Sequence, residues 1–572
     1  MDQPKSKIVD PLQEAPPVTS FKLRTWTYDI AREQCPTLDH LRRFAELTES
    51  AGYNALGLYM EHRFAFECTP WAHGVGCVTP EMVRTLQSEF PRIQFIPFLN
   101  LLGHCEGFIY TEHGKRYREE QFKGLQACPS NPAFVELCVR MVDEAMEAFS
   151  STIIHLGGDE TKQLGNCPSC AERIQNLGDP AFDALESLSF AEERFEAKFA
   201  EFMDDAGLGS GCSKHQAQIY GEHFGPLCQR VLGAARTPAL WGDMLLEHPT
   251  ATSWIPKETL IFDWQYRRGV RDSAEKLLAH GYEVVGCPTL HTYNAAWLHL
   301  PESERNTQFV VSDSKELDLY GVCLTTWECA LFGSYDTLVP AVEWAGRLMS
   351  DPSELAELRN STAQLGSNLG SAYSQSSEAE GDWAQLMGIE LQNAEGISAF
   401  SSIRSSLKCR FLLYGNPFLL WMHHAEELCG SSGDVALEIL DQALAVAPGD
   451  AERGISQFVK SAIEFVRLAE EARLHYADGD FVGAIAKLAP TRMIFDDLAK
   501  IARRTHERIG GSLADIERCR VAKEHVEKVL VRIRKYGDGS LGYMPAFEII
   551  THPKFMPYDQ GSWWLINSWA NE

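Results

Sequence analysis

The sequence is short of positive charge and of long apolar runs, and both shortages narrow the class of protein it can be. Its 52 Lys and Arg face 79 Asp and Glu, which gives a formal net charge of −27. Nucleic acids and anionic membranes bind clustered basic side chains, so we expect neither as a partner. No apolar run is long enough to span a bilayer, and residues 1–20 carry no apolar core of a secretion signal. These features predict a soluble, cytoplasmic protein.

Metal-like cysteine spacing is also scarce, although the chain has 16 cysteines. Cys167 and Cys170, in the stretch CPSC, are the pair with a spacing typical of metal ligands. A structural zinc needs about four ligands, which Cys128 or Cys35 could help to complete. The sequence favours two reduced thiols or a local disulfide here over a zinc site, and we expect no cofactor.

In the first 350 residues, short apolar runs rich in β-forming residues alternate regularly with amphipathic stretches. Two of the amphipathic stretches start at residues that commonly cap helices, Thr37 and Asn131. Continuous short apolar runs are typical of parallel strands buried on both faces. Eight β–α repeats predict a TIM (β/α)8 barrel of the α/β class. An open doubly wound sheet has less support, because no Gly-rich phosphate-binding motif follows the first strand. The candidate strands are 21–29, 54–60, 93–99, 152–157, 238–243, 259–264, 282–287 and 320–327.

The pattern changes after about residue 350. The stretch 366–384 is rich in Ser, Gly and Glu and predicts a loop or linker, and beyond it the apolar spacing is helical. The Trp-rich C-terminal tail favours packing on a domain surface or a dimer contact, so a homodimer is a candidate assembly. The predicted divisions are an N-terminal extension at 1–20, the barrel at 21–350, a linker region at 351–385 and an α-helical C-terminal domain at 386–572.

Two adjacent acids, Asp159 and Glu160, follow the fourth candidate strand directly after Gly157 and Gly158. In a TIM barrel the chemistry lies where strands end, at the C-terminal face. Two glycines let the backbone turn sharply, so both acids could face the barrel mouth, whereas a straight strand would separate them. A solvated loop or a helix N-terminus is the alternative interpretation of such a pair.

The stretch HLGGDE, residues 155–160, resembles the His-x-Gly-Gly-Asp-Glu motif of family 20 glycoside hydrolases, the β-N-acetylhexosaminidases. The lack of that family's small N-terminal domain, together with the extra C-terminal helices, resembles the intracellular hexosaminidase D type. The resemblance implies that Asp159 holds the substrate's acetamido group and stabilises an oxazolinium ion. It implies that Glu160 protonates the leaving oxygen and then deprotonates the attacking water.

Further positions resemble the family in the same order along the chain. By that resemblance, His104 and His155 would orient the acids through hydrogen bonds, although a satisfied core histidine is an equal interpretation of either. The other substrate-binding positions implied are Arg32 for sugar hydroxyls, Trp241 and Trp264 for the acetamido pocket walls, Tyr293 for the acetamide oxygen, Trp327 for the sugar-site floor and Glu328 for the acid after the last strand.

Some positions depart from the family pattern. Asn100 stands where an Asp is usual, and Glu328 lies one place earlier than the family's acid. The resemblance implies a retaining exo-β-N-acetylhexosaminidase that removes terminal GlcNAc or GalNAc from glycans or glycosides by substrate-assisted catalysis. The sugar preference and the linkage stay open, and a non-catalytic sugar-binding protein on the same barrel is the alternative.

Overall fold

The computed structural model describes most of the predicted barrel and much of the helical region. The described residues are 21–31, 36–73, 76–120, 126–161, 163–176, 214–290, 300–327, 335–350, 417–446, 450–509 and 514–551. The predicted extension at 1–20 and linker at 351–385 lie outside them, so the domain boundaries stay predictions. Within the described ranges no helix combines the length and the apolar character needed to cross a bilayer.

Parallel strands form a closed barrel. The strands are β1 Leu23–Asp29, β2 Ala55–Tyr59, β3 Gln94–Phe98, β4 Ile153–His155, β5 Thr237–Trp241, β6 Leu260–Trp264, β7 Glu283–Cys287, β8 Thr289–Leu290 and β9 Gly321–Thr326. Strands β1 to β7 pair in chain order, β7 pairs with β9, and β9 pairs back to β1. The two-residue strand β8 pairs with the end of β9. This closure confirms the predicted TIM barrel. Seven of the eight candidate strands contain a barrel strand, and the candidate at 238–243 overlaps β5, which begins one residue earlier at Thr237.

Helices connect these strands and begin where the sequence places capping residues. The Thr37 hydroxyl accepts the backbone N–H of His40, and the Asn131 side chain accepts those of Ala133 and Phe134. The longer helices are Leu38–Ser50, Pro80–Glu89, Pro132–Ala148, Pro168–Asn176, Lys214–Gly233, Arg271–Ala279, Leu300–Glu316 and Tyr335–Ser350. Short helical turns lie at Glu106–Ile109, Gly114–Tyr117, Asp243–Glu247 and Pro249–Ser253.

An aromatic layer fills the barrel where the strands end. Phe98, His155 and Trp241 are the last residues of β3, β4 and β5, and each is almost completely buried. The rings of Phe98 and His155 stack with their centroids 4.3 Å apart, and Phe262 closes the group. These packed side chains lie directly beneath the loops that follow the strands, where the active site of a TIM barrel is formed.

The predicted helical C-terminal region is present and has a hydrophobic core of its own, separate from that of the barrel. Trp421, Phe465 and Phe495 belong to this second core. Its helices are Pro417–Cys429, Ser431–Val446, Asp450–Ala477, Phe481–Leu488, Thr491–Ile509, Ala514–Gly537 and Phe547–Thr551.

Candidate active site

The adjacent acids lie on a sharply turned segment after β4. Gly157 and Gly158 have φ values of +80° and +95°, and Glu160 itself has φ +48°. A non-glycine residue with positive φ is uncommon and marks a backbone that its surroundings hold in place. The Tyr220 hydroxyl donates to the Gly158 carbonyl oxygen at 3.0 Å. The turn is thus formed, with Asp159 7 % exposed and the Glu160 side chain 32 % exposed.

His104 approaches both acids from the loop after β3. Its Nε2 lies 2.9 Å from Glu160 Oε2 and 3.5 Å from Asp159 Oδ2. On the other side of the ring, Nδ1 lies 3.6 Å from Glu106 Oε1. His104 also has a positive φ, +48°. One imidazole therefore bridges three carboxylates at the mouth of the barrel.

The charge of His104 follows from this setting. Burial opposes protonation of the ring, but the carboxylates of Asp159, Glu106 and Glu160 outweigh it and hold the pKa of His104 well above its usual value. This favours the protonated ring, whose Nε2 is within hydrogen-bonding distance of Glu160 and whose Nδ1 faces the Glu106 carboxylate. It can orient and stabilise negative charge on the two adjacent acids.

Asp243 supports the same segment from the end of β5. Its Oδ2 accepts the backbone N–H of Glu160 at 2.9 Å, and its Oδ1 accepts the indole N–H of Trp264 at 3.3 Å. One carboxylate thus fixes the backbone of the candidate acid and the side chain of a candidate sugar-binding residue. Sequence reasoning did not select Asp243, although it lies in the stretch WGD at the predicted strand end.

Aromatic side chains contact one another where β2, β6 and β9 end, at the same end of the barrel as the acids. The Trp327 indole N–H donates to the Tyr266 hydroxyl at 2.8 Å. The Tyr266 ring lies 5.0 Å from Trp264, and Trp327 meets Tyr59 edge-on at 4.8 Å between ring centroids. Trp264 and Trp327 were predicted to contact sugar from strand ends, and both lie there. Tyr266, which fixes Trp327, is a further site residue that the sequence did not indicate.

Two predicted residues lie deeper than expected. Trp241 is 1 % exposed and His155 is completely buried. His155 Nδ1 accepts the Gly157 N–H at 3.1 Å, and burial lowers the pKa of this histidine well below its usual value. The predicted hydrogen bond from His155 to the acids is therefore replaced by one to the turn's backbone. A neutral ring fits this place, because Phe98 and Trp241 pack against it.

Asn100, which stands where an Asp is usual in the family, is hydrogen-bonded to another residue of the barrel. The Asn100 side-chain amide donates to the Tyr59 hydroxyl at 2.7 Å. Arg32, Tyr293 and Glu328 lie outside the described residues, so their roles stay predictions.

A model of a known protein family matches much of the part of the chain that forms this site. Residues 104–318 match the model of the glycosyl hydrolase family 20 catalytic domain. The match spans His104, both acids, Asp243 and Trp264. It supports a glycoside hydrolase catalytic domain over these residues. Within that class, the resemblance to family 20 is confirmed over the matched residues.

Solved structures of β-N-acetylhexosaminidases are distant neighbours. That of the Bacteroides fragilis enzyme is 13 % identical with a TM-score of 0.43, and the alignment covers 62 % of this chain and 72 % of that one. A Vibrio harveyi exo-β-N-acetylglucosaminidase in complex with N-acetylglucosamine is 14 % identical, with a TM-score of 0.38 and coverages of 61 % and 59 %. A Streptomyces coelicolor β-N-acetylhexosaminidase is 11 % identical, with a TM-score of 0.38 and coverages of 58 % and 64 %.

The aligned part thus spans less than two thirds of the Vibrio and Streptomyces chains. All three TM-scores are below 0.5, so the barrel is assigned from its own strand pairing. No curated protein matches the sequence.

Proposed function

We propose that the protein is a retaining exo-β-N-acetylhexosaminidase that releases terminal GlcNAc or GalNAc by substrate-assisted catalysis. The observation that carries the proposal is the contact of one imidazole nitrogen with two neighbouring acids. His104 Nε2 lies 2.9 Å from Glu160 and 3.5 Å from Asp159. Both carboxyl groups therefore face the same side of the barrel mouth.

This placement favours substrate-assisted catalysis over a mechanism with a protein nucleophile. Retaining glycosidases with a protein nucleophile use two carboxyl groups about 5 Å apart that flank the scissile bond. Neighbouring residues that share one histidine partner do not flank a sugar in that way. When the substrate's own 2-acetamido oxygen is the nucleophile, the second acid has to hold the acetamido N–H instead. Asp159, nearly buried beside His104, suits that role.

Glu160 is the proposed general acid and base. In the first step the acetamido oxygen bonds to the anomeric carbon, the bond from that carbon to the leaving oxygen breaks, and the proton of Glu160 passes to the leaving oxygen. The sugar is then an oxazolinium ion. In the second step Glu160 takes a proton from water as that water opens the ring. The His104 imidazolium donates to the carboxylate that Glu160 becomes after the first proton transfer, and thereby stabilises it.

The aromatic side chains supply a surface for the sugar. Carbohydrate rings have apolar faces, and amphipathic aromatics at a pocket contact them while their polar atoms keep hydrogen bonds. Trp264 and Trp327 are held in place by Asp243 and Tyr266. We propose Arg32, Tyr293 and Glu328 as further substrate contacts and a terminal N-acetylhexosamine as the partner.

The test is hydrolysis of nitrophenyl β-GlcNAc and β-GalNAc side by side. Glu160→Gln should slow turnover of substrates with poor leaving groups about 10²–10⁴-fold, because acid catalysis is lost. It should spare the first step for nitrophenyl substrates. Asp159→Asn should slow that first step as well, since the oxazolinium loses its stabilising charge. The ratio of the two sugars gives the preference.

A matched control is Glu172→Gln, an exposed acid on the helix Pro168–Asn176, which should behave as the parent protein. Turnover of nitrophenyl β-GlcNAc by both site variants at the parental rate would contradict the assignment of roles.

One observation favours the non-catalytic alternative. Asn100 replaces an acid that is usual in the family and is bonded to Tyr59. A sugar-binding protein would bind GlcNAc in calorimetry and hydrolyse neither nitrophenyl substrate. We also propose a cytoplasmic location, supported by buried free thiols such as Cys105, Cys138 and Cys228. A homodimer stays a proposal, to be tested by the mass of the protein in solution.

A further inference from the structure

Three thiols and a carboxylate from separate parts of the chain meet beside the candidate active site. Cys128 Sγ lies 3.3 Å from Cys167 Sγ and 3.7 Å from Cys170 Sγ. Glu119 Oε2 lies 3.4 Å from Cys170 Sγ. One potential ligand atom from each of the four residues lies within 4.8 Å of the others. We propose that Glu119, Cys128, Cys167 and Cys170 bind one structural Zn²⁺ ion.

The sulfur separations fit a shared metal better than a covalent bond. Tetrahedral zinc with Zn–S bonds of about 2.3 Å places its sulfur ligands about 3.8 Å apart. A disulfide needs its two sulfurs about 2.05 Å apart and would use two of the three thiols. Cys128 instead approaches both other cysteines at comparable distances. The carboxylate of Glu119 supplies the fourth ligand, since zinc accepts oxygen as well as sulfur donors.

The surroundings suit a negatively charged ligand set. The Cys170 N–H donates to Cys167 Sγ at 3.3 Å, as N–H groups do to metal-bound thiolates, and the Cys167 N–H donates to Glu119 Oε1 at 2.9 Å. Cys170 lies in the first turn of the helix Pro168–Asn176, where the helix dipole favours negative charge. The Ser130 hydroxyl lies 3.1 Å from Cys170 Sγ and offers a second-layer donor.

Burial adds an independent reason for a cation. Glu119 is 3 % exposed, and Cys128, Cys167 and Cys170 form a buried cluster of their own. A buried carboxyl group is stabilised by a proton or by a nearby cation, because desolvation of an unpaired ion costs several kcal/mol. A divalent cation among the four side chains would provide this stabilisation.

The position of the ion suggests what it does. Glu119 and Cys128 belong to the loop after β3 that also carries His104, whereas Cys167 and Cys170 follow the acid pair after β4. Protein groups already join the two loops, since the Gln163 N–H donates to Gln126 Oε1 at 3.0 Å. Zinc would fasten the loops at a second place and hold His104 against Glu160. Its role is structural, and no step of the proposed hydrolysis passes through it.

The spacing of the chain explains why the sequence favoured free thiols or a disulfide here. Cys167 and Cys170 form a local pair, but Cys128 precedes Cys167 by 39 residues. Glu119 belongs to no recognisable ligand motif, because acids are common in loops. Cys35, the other candidate partner, lies outside the described residues.

The experiment is metal analysis of the full-length protein, purified without chelator, by inductively coupled plasma mass spectrometry. We expect one zinc per chain that survives dialysis. Cys128→Ser and Cys167→Ser should each lose it, whereas Cys228→Ser, which removes a buried thiol on the helix Lys214–Gly233, should keep it. Glu119→Gln should release zinc to a competing chelator faster than the parent protein does. Exchange for Co²⁺ should give the intense visible absorption of tetrahedral cobalt with thiolate ligands.

A second measurement covers variants that fail to fold. In the native parent protein, zinc should protect three thiols from alkylation until a chelator removes it. A disulfide that joins any two of these cysteines, located by mass spectrometry of proteolytic peptides, would overturn the proposal. So would a protein without metal, or with metal that dialysis removes. None of these readouts uses glycosidase activity, so their failure is distinguishable from failure of the proposed function.

Discussion

The imidazole of His104 makes the acid pair sensitive to pH. Its pKa is held well above the usual histidine value because three carboxylates outweigh the cost of burial. At pH values below the ordinary pKa of about 6.5, folded and unfolded chains both carry the proton, and the stabilisation is fully present. As the pH rises toward the folded-state pKa, the unfolded chain releases its proton first and the stabilisation is lost.

We therefore predict that the parent protein becomes less stable above about pH 6.5, and that His104→Gln removes this part of the pH dependence. The physical reason is that glutamine keeps a hydrogen-bonding side chain but carries no titrating charge. Urea unfolding at a series of pH values from 6 upward measures the effect.

The control is His280→Gln, which replaces an exposed histidine after the helix Arg271–Ala279 and should retain the parental pH dependence. Curves of equal slope for the parent and His104→Gln would show that His104 does not carry the raised pKa in solution.

Some site residues belong to a short sequence motif, and others belong to none. Asp159 and Glu160 were found because they share a six-residue motif at a strand end. Asp243 and Tyr266 have no such motif, because each acts through a contact with a residue far along the chain, Glu160 and Trp327 respectively. Such contacts depend on which strand ends are neighbours, and no periodicity or spacing encodes that. Glu106 lies only two positions from His104, its contact, but it belongs to no motif that indicates this contact.

The two loops that carry His104 and Glu160 pack so closely at Gly103 that there is no space for a side chain there. A Cβ atom on Gly103 would collide with the backbone carbonyl oxygen of Asp159. Because backbone cannot rotate away as a flexible side chain can, the loops would have to separate. Separation would pull His104 away from the acids.

Gly103→Ala should accordingly destabilise the protein by about 1–3 kcal/mol, the usual cost of overpacking, and reduce hydrolysis of nitrophenyl β-GlcNAc. Chemical unfolding and kinetics measure the two effects. Gly233→Ala is the control, since nothing lies within 4 Å of its added Cβ and alanine in a helix is neutral or stabilising. Unchanged stability and kinetics in Gly103→Ala would show that the loops tolerate a wider spacing.

For helices, strands and loops, the sequence predicts the regular elements well and the loop conformations poorly. All eight barrel strands were found because buried parallel strands leave continuous apolar runs. The strand β4 is shorter than expected, ending at His155, because the Gly157–Gly158 turn starts early. The left-handed backbone at His104 and Glu160 had no local signal, since packing between loops imposes it on non-glycine residues.

Among the described residues, the barrel and the C-terminal helices have separate hydrophobic cores with different geometries. The barrel core surrounds the parallel strands, whereas the second core lies among the C-terminal helices. In the second core, Phe465 is completely buried and packs against Phe418 and Phe495 at ring-centroid distances of 4.9 and 5.5 Å.

Phe465→Ala should destabilise the helical core by about 3–5 kcal/mol, because it removes a large buried ring and leaves a cavity. If the cores unfold separately, calorimetry should show one transition moved to lower temperature and the other unmoved. Leu474→Ala, at a side chain that is 51 % exposed, should change stability by less than about 0.5 kcal/mol. A single transition that moves as a whole would show that the two cores unfold together.

Closure of the barrel by β1 and β9 has a consequence for the chain as it is synthesised. Thr27 and Thr326, which hydrogen-bond across this seam, are 299 positions apart. At a translation rate of roughly 5–20 residues per second, β1 emerges from the ribosome about 15–60 seconds before its second partner exists. During that interval the nascent chain exposes an unpaired strand edge, which is the feature that molecular chaperones shield and that otherwise leads to aggregation.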